Sequence, residues 1–228
     1  MAMVHCDPAK VYSNSVGHWV TCAEIQSSSW DAVMLSKKKK TPAKPVGPGE
    51  LRRRKIFKSL HDCIEAEGYV NTSLQDIANR AEMSASHLCY YFSGKDAILL
   101  EYFESVSARI LEQVEALSKA SSEEQINALA DFWFRGKARS RKEIGIMLEC
   151  FGVAVNHDAL CQAKNRFDEA CKSHLMALFD GAPSVLGQSS RDAAEVCYAL
   201  TIGLRSSVYF DKGVGLEDAH RIFLQTMR

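Results

Sequence analysis

Asn71-Thr72-Ser73-Leu74-Gln75-Asp76-Ile77-Ala78-Asn79-Arg80-Ala81-Glu82-Met83-Ser84-Ala85-Ser86-His87-Leu88-Cys89-Tyr90-Tyr91-Phe92 is the stretch whose residue order decides the fold. A helix leaves its first amides unpaired, and a short hydroxyl or carboxylate side chain just before it can satisfy them. Two such starts stand here. Thr72 with Gln75, or Ser73 with Asp76, can form a reciprocal capping box, and Ser84 is placed to cap a second helix that runs to Phe92. The first helix reaches about Ala81, which leaves a turn of three residues. Two short helices so joined meet at a steep angle, so a small residue must sit at closest approach with apolar residues behind it. Ala78 takes the first role, and Ile77, Ala81, Met83, Leu88 and Tyr91 take the second. The spacing specifies a helix-turn-helix.

Upstream, a helical stripe of Ile56, Phe57, Leu60, Cys63 and Ile64 begins near Glu50, with Arg52, Arg53, Lys55 and Lys58 mostly off it; Gly68 ends it as a left-handed cap would. Downstream, Ser93 is placed as N-cap with Asp96 three residues on. Helical periods then continue over about 94–117, 122–138, 141–156, 158–180, 190–210 and 215–227. Ser121-Ser122, Asn156-His157-Asp158, Gly181-Ala182-Pro183 and Gly213-Val214-Gly215 separate them. No alternating pattern with hairpin turn chemistry occurs. The expected fold class is all-α, a three-helix module over 49–95 followed by a larger helical domain over 96–228. Residues 1–36 show no sustained period, and the Lys37–Pro48 segment holds three of the five prolines, so 1–48 reads as a disordered extension with a basic linker. Met34 lies just before that linker, and residues 1–33 are expected to contribute nothing to the fold.

The chain has 228 residues, 46% of them hydrophobic, enough to bury a substantial core. Its formal net charge of +0 hides an asymmetry. Ten of the 28 basic residues (Lys37 to Lys40, Lys44, Arg52, Arg53, Arg54, Lys55 and Lys58) lie within 37–58, with only Glu50 of the 28 acidic ones. Clustered charge, rather than total charge, is what polyanion binding rewards. The eight cysteines form no C-x-x-C pair and read as buried thiols, with a redox role conceivable for Cys89 or Cys150; the seven histidines form no metal-ligand spacing. No nucleophile with a positioned base, paired carboxylates or metal cluster stands at recognisable spacing, so an enzyme is not expected, nor a metal or other cofactor. With no apolar run of eighteen residues and no secretory leader pattern, the expected place is the cytoplasm, without a membrane partner.

Thr72-Ser73-Leu74-Gln75-Asp76-Ile77-Ala78, Ala81-Glu82-Met83-Ser84, Leu88-Cys89-Tyr90-Tyr91-Phe92 and Lys95-Asp96-Ala97-Ile98-Leu99 together resemble the DNA-binding signature of the TetR family. A weaker resemblance to the ligand-binding domain of a common TetR subgroup continues through Met147-Leu148-Glu149-Cys150-Phe151 and Asn156-His157-Asp158. The two cover about residues 50–215. There are two departures. Glu82 replaces a frequent turn glycine, at little cost unless the backbone there is left-handed, and Cys89 replaces a tyrosine that in many relatives reaches DNA.

Chemistry and position then assign roles. Thr72 and Lys95 are expected to donate to phosphate, and Arg52, Arg53 and Arg54 to reach phosphates or an adjacent minor groove. Ser84, Ala85, Ser86, His87, Tyr90 and Tyr91 belong to the recognition helix, with Ser86, His87 and Tyr90 the choices for base or nearby backbone contacts. One short recognition helix gives little specificity, so a homodimer on a palindromic double-stranded operator is expected. Its interface is assigned to the helix at 190–210 through Ala194, Tyr198, Thr201, Gly203, Leu204 and Val208, completed by Phe223 of the last helix. The resemblance implies an effector pocket among helices 94–180, for which Phe103, Trp133, Met147, Cys150, Phe151 and Phe167 are the candidates, with Asn156, His157 and Asn165 as polar fixtures. The expected function is a sequence-specific DNA-binding transcriptional regulator, a repressor released by an unidentified small molecule; the alternative is a constitutive or architectural DNA-binding protein without an effector.

Overall fold

Local capping sets where most helices begin. A computed structural model describes residues 11–13, 19–21, 47–117, 121–135, 140–180, 189–211 and 213–227. Pro48, at a first helical position that needs no amide donor, opens α1 (Pro48–Glu67), two residues before the start expected at Glu50. Ser73 and Asp76, not Thr72 and Gln75, form the capping box of α2 (Leu74–Arg80): Ser73 Oγ accepts the Asp76 amide at 3.2 Å, and Asp76 Oδ2 accepts the Ser73 amide at 2.9 Å. Ser84 caps α3 (Ala85–Tyr91) by accepting the His87 amide at 3.1 Å. Ser121, Ser140 and Ser189 cap α5 (Ser122–Phe134), α6 (Arg141–Ala154) and α8 (Ser190–Phe210) in the same manner.

Several ends differ from expectation. Helix α4 (Lys95–Leu117) starts with the Ile98 amide on the Gly94 carbonyl, and Asp96 accepts the Tyr69 hydroxyl rather than pairing with Ser93. Gly68 has φ 78 as expected, but its ψ of 160 is extended, a region open essentially to glycine alone and not that of a left-handed cap. Helices α5 and α6 end at Phe134 and Ala154, short of 138 and 156, and α7 (Asp158–Asp180) is entered through His157, whose Nδ1 accepts the Leu160 amide at 3.2 Å. The last helix, α9, spans Leu216–Met227.

Apolar faces bring α7 along α8, α4 against α7, and α5 against α9. Leu129, Ala130, Phe134, Ile144, Leu175, Ala194, Cys197, Phe223 and Met227 form the buried centre of that body. The first three helices have a smaller centre of Ile56, Leu60, Ile77, Ala78, Ala81 and Leu88, all essentially sealed from solvent. Ala78 is the close-contact residue anticipated, and its carbonyl accepts the Met83 amide across the turn.

Residues to Pro42 form a unit separate from Ala43–Arg228. Within it, β1 (Val11–Ser13) and β2 (Trp19–Thr21) pair antiparallel, with Val11 opposite Thr21, Tyr12 opposite Val20 and Ser13 opposite Trp19. The sequence reading expected no strand there. Three-residue strands are too short to display an alternation, though Val, Tyr, Trp and Thr favour extended backbone. The Lys37–Lys40 run lies outside the described residues.

Candidate nucleic-acid interface

Helix α3 is anchored through one fully buried side chain, Leu88, so most of its remaining surface stands clear of the body. Ser86, Cys89 and Tyr90 are exposed, Tyr90 to 83%, while Ala85, His87 and Tyr91 are half-buried. The aromatic rings form a continuous strip. Tyr90 meets Tyr91 edge-on at 5.4 Å, Tyr91 lies 5.5 Å from His87, and Arg52 of α1 donates to His87 Nε2 at 2.9 Å. No acidic residue occurs between Met83 and Lys95. The face therefore offers hydroxyls, an imidazole, a guanidinium and an aromatic edge. These groups can meet phosphates and base edges, and the recognition segment itself carries no carboxylate.

Three expected contacts turn inward instead. Thr72 is 2% exposed, and its hydroxyl donates to the Gly68 carbonyl at 2.8 Å. Lys95 donates to the carbonyls of Tyr69 and Thr72 at 2.9 and 2.7 Å, with its ammonium 4.2 Å above the Tyr69 ring. Arg53 pairs with Glu101 and stacks on Phe92. The Lys95 and Arg53 contacts join elements distant in sequence, which a pattern of spacing cannot reveal, whereas Thr72 turns back on its own loop. Arg54 is exposed and pairs with Glu50 one turn back, and Ser84 is exposed although its hydroxyl serves the cap. Sequence reasoning missed the pair between Lys55 and Glu82. Glu82 has φ 54, so the turn is left-handed where the glycine of relatives would be unstrained, and its carboxylate is held below its ordinary pKa by the Lys55 hydrogen bond.

Behind this face α1 meets α4 and α6. His61 is fully buried, hydrogen-bonded to Tyr102 at 3.1 Å, with Glu65 and Glu143 carboxylates at 3.7 and 3.9 Å from its Nε2. Burial, reinforced by the Lys58 charge, lowers its pKa to about 3 and outweighs those carboxylates. Lys142 of α6 pairs with Glu65 of α1, and Glu149 of α6 accepts the Tyr69 amide at 3.4 Å. Both α4 and α6 therefore tie the recognition module to the domain behind it.

Beside Glu149 lies a cleft of about 760 Å³. One wall is Tyr69, Val70, Lys95 and Asp96; the other comes from α6 and the end of α8, including Leu148, Tyr209 and Phe210. Asn156 and His157 line it, and Asn165 does not. None of the six aromatic and sulfur-bearing candidates lines this cleft or the other described ones. Phe103 and Phe167 pack edge-to-face at 6.1 Å, Cys150 is buried, Trp133 and Met147 lean on the core, and the Phe151 ring takes Lys164. Phe103, Cys150 and Phe167 are buried, and Trp133, Met147 and Phe151 are half-buried. Cys63, Cys171 and Cys197 are likewise buried thiols, and Cys89 is exposed.

The assigned interface residues differ in exposure. Ala194, Thr201, Val208 and Phe223 are buried within the protomer, and Tyr198 is half-buried and donates to Asp168 of α7. That stripe of α8 is the one α7 covers. Leu204 is half-buried against the core, and only Gly203 of the assigned set is exposed. Among the described residues no group of three or more His, Cys, Asp or Glu could hold a metal ion, and no helix is long and apolar enough to cross a membrane.

Two family models match the chain, "Bacterial regulatory proteins, tetR family" over residues 56–102 and "BetI-type transcriptional repressor, C-terminal" over 122–227. A curated relative, "Probable HTH-type transcriptional regulator YttP" of Bacillus subtilis, is 29% identical over 76 residues, which are 32% of this chain and 37% of that protein. Solved structures share the fold: a TetR transcription regulator of Haloarcula marismortui (TM-score 0.69, 18% identity, 77% of this chain and 96% of that one) and a transcriptional regulator of Rhodococcus (0.69, 16%, 77% and 93%). A regulator of Saccharomonospora viridis in complex with choline has TM-score 0.63 at 21% identity, covering 76% of this chain and 93% of its own.

Proposed function

Because the chain belongs to the TetR family of bacterial transcriptional regulators, we propose that it is a homodimeric repressor that reads a palindromic operator and leaves it when a small molecule binds. The observation that carries the reading is the strip of Arg52, His87, Tyr91 and Tyr90 on a recognition helix clear of the body, backed by two helices, α4 and α6, that tie the module to the domain behind it. Arg52 and Arg54 serve phosphates; Ser86, His87 and Tyr90 face the groove. Thr72, Arg53 and Lys95 hold the module's shape and act on DNA through it.

For the dimer, the outward face of α8 replaces the buried one. Val196, Ala199, Ile202, Gly203 and Ser206 recur at helical spacing and are half or fully exposed, and the small residues permit close helix approach. Recognition helices about 34 Å apart would enter successive major grooves, so a small rotation of each module misaligns both. A ligand shifts that balance only through differential affinity for the two arrangements.

The test is enrichment of a bound sequence from random duplexes by the full chain, followed by titration of candidate effectors. A palindromic consensus, affinity that falls with salt at about −0.9 per phosphate contact, and release by a compound are expected. Binding without sequence preference would overturn the regulator reading; a consensus that no compound releases would leave a constitutive DNA-binding protein instead.

A further inference from the structure

Resting on the DNA-binding reading above, we infer that Arg52 is a positioning residue for specificity: it fixes the tautomer of His87 and so makes that imidazole a donor that selects an acceptor on the base edge, guanine above all. Arg52 Nη1 lies 2.9 Å from His87 Nε2. A guanidinium has only N–H donors, no acceptor and no accessible neutral form, so the imidazole nitrogen it meets must accept. Nε2 therefore keeps its lone pair, the ring is neutral, and its one proton sits on Nδ1. A proton on Nε2 would set two donors against each other. Arg52 also stands apart from the other basic residues of α1. Arg53, Arg54, Lys55 and Lys58 pair with the carboxylates of Glu101, Glu50, Glu82 and Asp62. Arg52 pairs with no carboxylate among the described residues and takes a neutral base of the recognition helix instead.

A second contact holds the ring. The Tyr91 centroid lies 5.5 Å from that of His87 with the planes at 50°, and Tyr90 meets Tyr91 edge-on at 5.4 Å. Contacts on two sides keep the imidazole in one orientation before DNA arrives. Its Nδ1 bonds no group among the described residues, so that N–H is left for a partner outside the chain. What it can meet follows from the edges of the major groove. Guanine presents two acceptors, N7 and O6, and no donor; adenine and thymine present one acceptor each; cytosine presents only its amino donor. An imidazole protonated on Nδ1 thus favours guanine and rejects cytosine at the base it meets. Without Arg52 the ring exchanges tautomers and accepts as readily as it donates, so the preference broadens. A guanidinium that only neutralised a phosphate would instead strengthen binding to all sequences alike. The remaining N–H groups of Arg52 stay available for that second task.

The experiment is a double-mutant cycle of Arg52→Met and His87→Ala in the full chain, read by affinities for the enriched operator and its single-base variants. His87→Ala locates the contacted position in each half-site, where the native chain should select guanine. Arg52→Met should cut the preference for guanine over cytosine there by about five- to tenfold and leave the other positions within about twofold. In the His87→Ala background it should cut nothing further at that position. Arg54→Met, whose side chain pairs with Glu50 and not with the imidazole, should weaken binding to all sequences alike. Two-bond proton–nitrogen spectra of the histidine-labelled chain, with the His87 signal identified by its loss in His87→Ala, should place the proton on Nδ1, and Arg52→Met should raise the share on Nε2. Arg52 is exposed, and circular dichroism checks that each variant folds. The role of Arg52 is overturned if the native ring carries its proton on Nε2, if Arg52→Met leaves the tautomer unchanged, if its effect at the contacted position persists without His87, or if Arg54→Met lowers the guanine preference as much. Selection of cytosine at that position, or no position relaxed by His87→Ala, overturns it too. Enrichment of no consensus sinks the regulator reading, and the spectra then decide whether Arg52 sets the tautomer. A consensus for which Arg52→Met lowers every affinity equally keeps that reading and refutes this one.

Discussion

Acidification should destabilise this protein through His61 before most carboxylates titrate. The side chain is fully buried at the joint of α1, α4 and α6, and its pKa falls from 6.5 to about 3, first through desolvation and then through Lys58. A base whose pKa is lowered by folding stays neutral in the native state and becomes protonated in the unfolded one. Its contribution is therefore fully present above pH 6.5 and is lost as pH falls from 6.5 toward 3. At pH 5 the gap of about 1.5 units below the unfolded value, at 1.36 kcal/mol per unit, amounts to about 2 kcal/mol. Urea unfolding at pH 7.5 and 5.0, for the native chain and for His61→Gln, isolates the effect by difference. The native chain should lose about 2 kcal/mol more than the variant over that interval. Equal losses would refute the reasoning. A gain in native stability on acidification would show that Glu65 and Glu143, rather than burial, govern the imidazole.

Three further outcomes follow from particular contacts. Glu82→Gly should raise the melting temperature by about 2–4 °C, since it relieves the left-handed backbone, and frees Lys55 to strengthen binding to all duplexes alike; a lower melting temperature would mean the Lys55 pair outweighs the strain. Tyr90→Ala should change stability by less than about 0.5 kcal/mol, because the ring is exposed, yet relax preference at particular operator positions by about 1–3 kcal/mol; equal losses on specific and random DNA would demote it to a backbone contact. Lys95→Ala should cost about 1.5–3 kcal/mol in denaturant stability through its two charge-assisted bonds and weaken binding to every sequence. Unchanged stability with a salt slope reduced by one would instead make Lys95 the phosphate ligand that spacing suggested.

By itself the sequence determined the helical class, the helix-turn-helix and the approximate place of each helix. Those features are local: a serine three residues before the amide whose hydrogen bond it accepts, a glycine where the backbone turns, an apolar residue every third or fourth position. Ser73, Ser84 and Ala78 stand in the structure where their neighbours in sequence required them. Tertiary structure alone decided which polar side chains face outward. Lys95 was a plausible phosphate donor until the Tyr69 and Thr72 carbonyls took its ammonium, and Arg53 until Glu101 came beside it from α4; Thr72 turns back on Gly68 within its own loop. The same holds for the two surfaces assigned from apolar spacing. Val208 and Phe223 have the spacing of an interface, and Phe103 and Phe167 the bulk of a pocket lining, but periodicity marks only that a face is apolar. Whether that face meets its own chain, a second copy or a ligand is settled by elements far away in sequence, here α7 folding onto α8 and α6 reaching Tyr69.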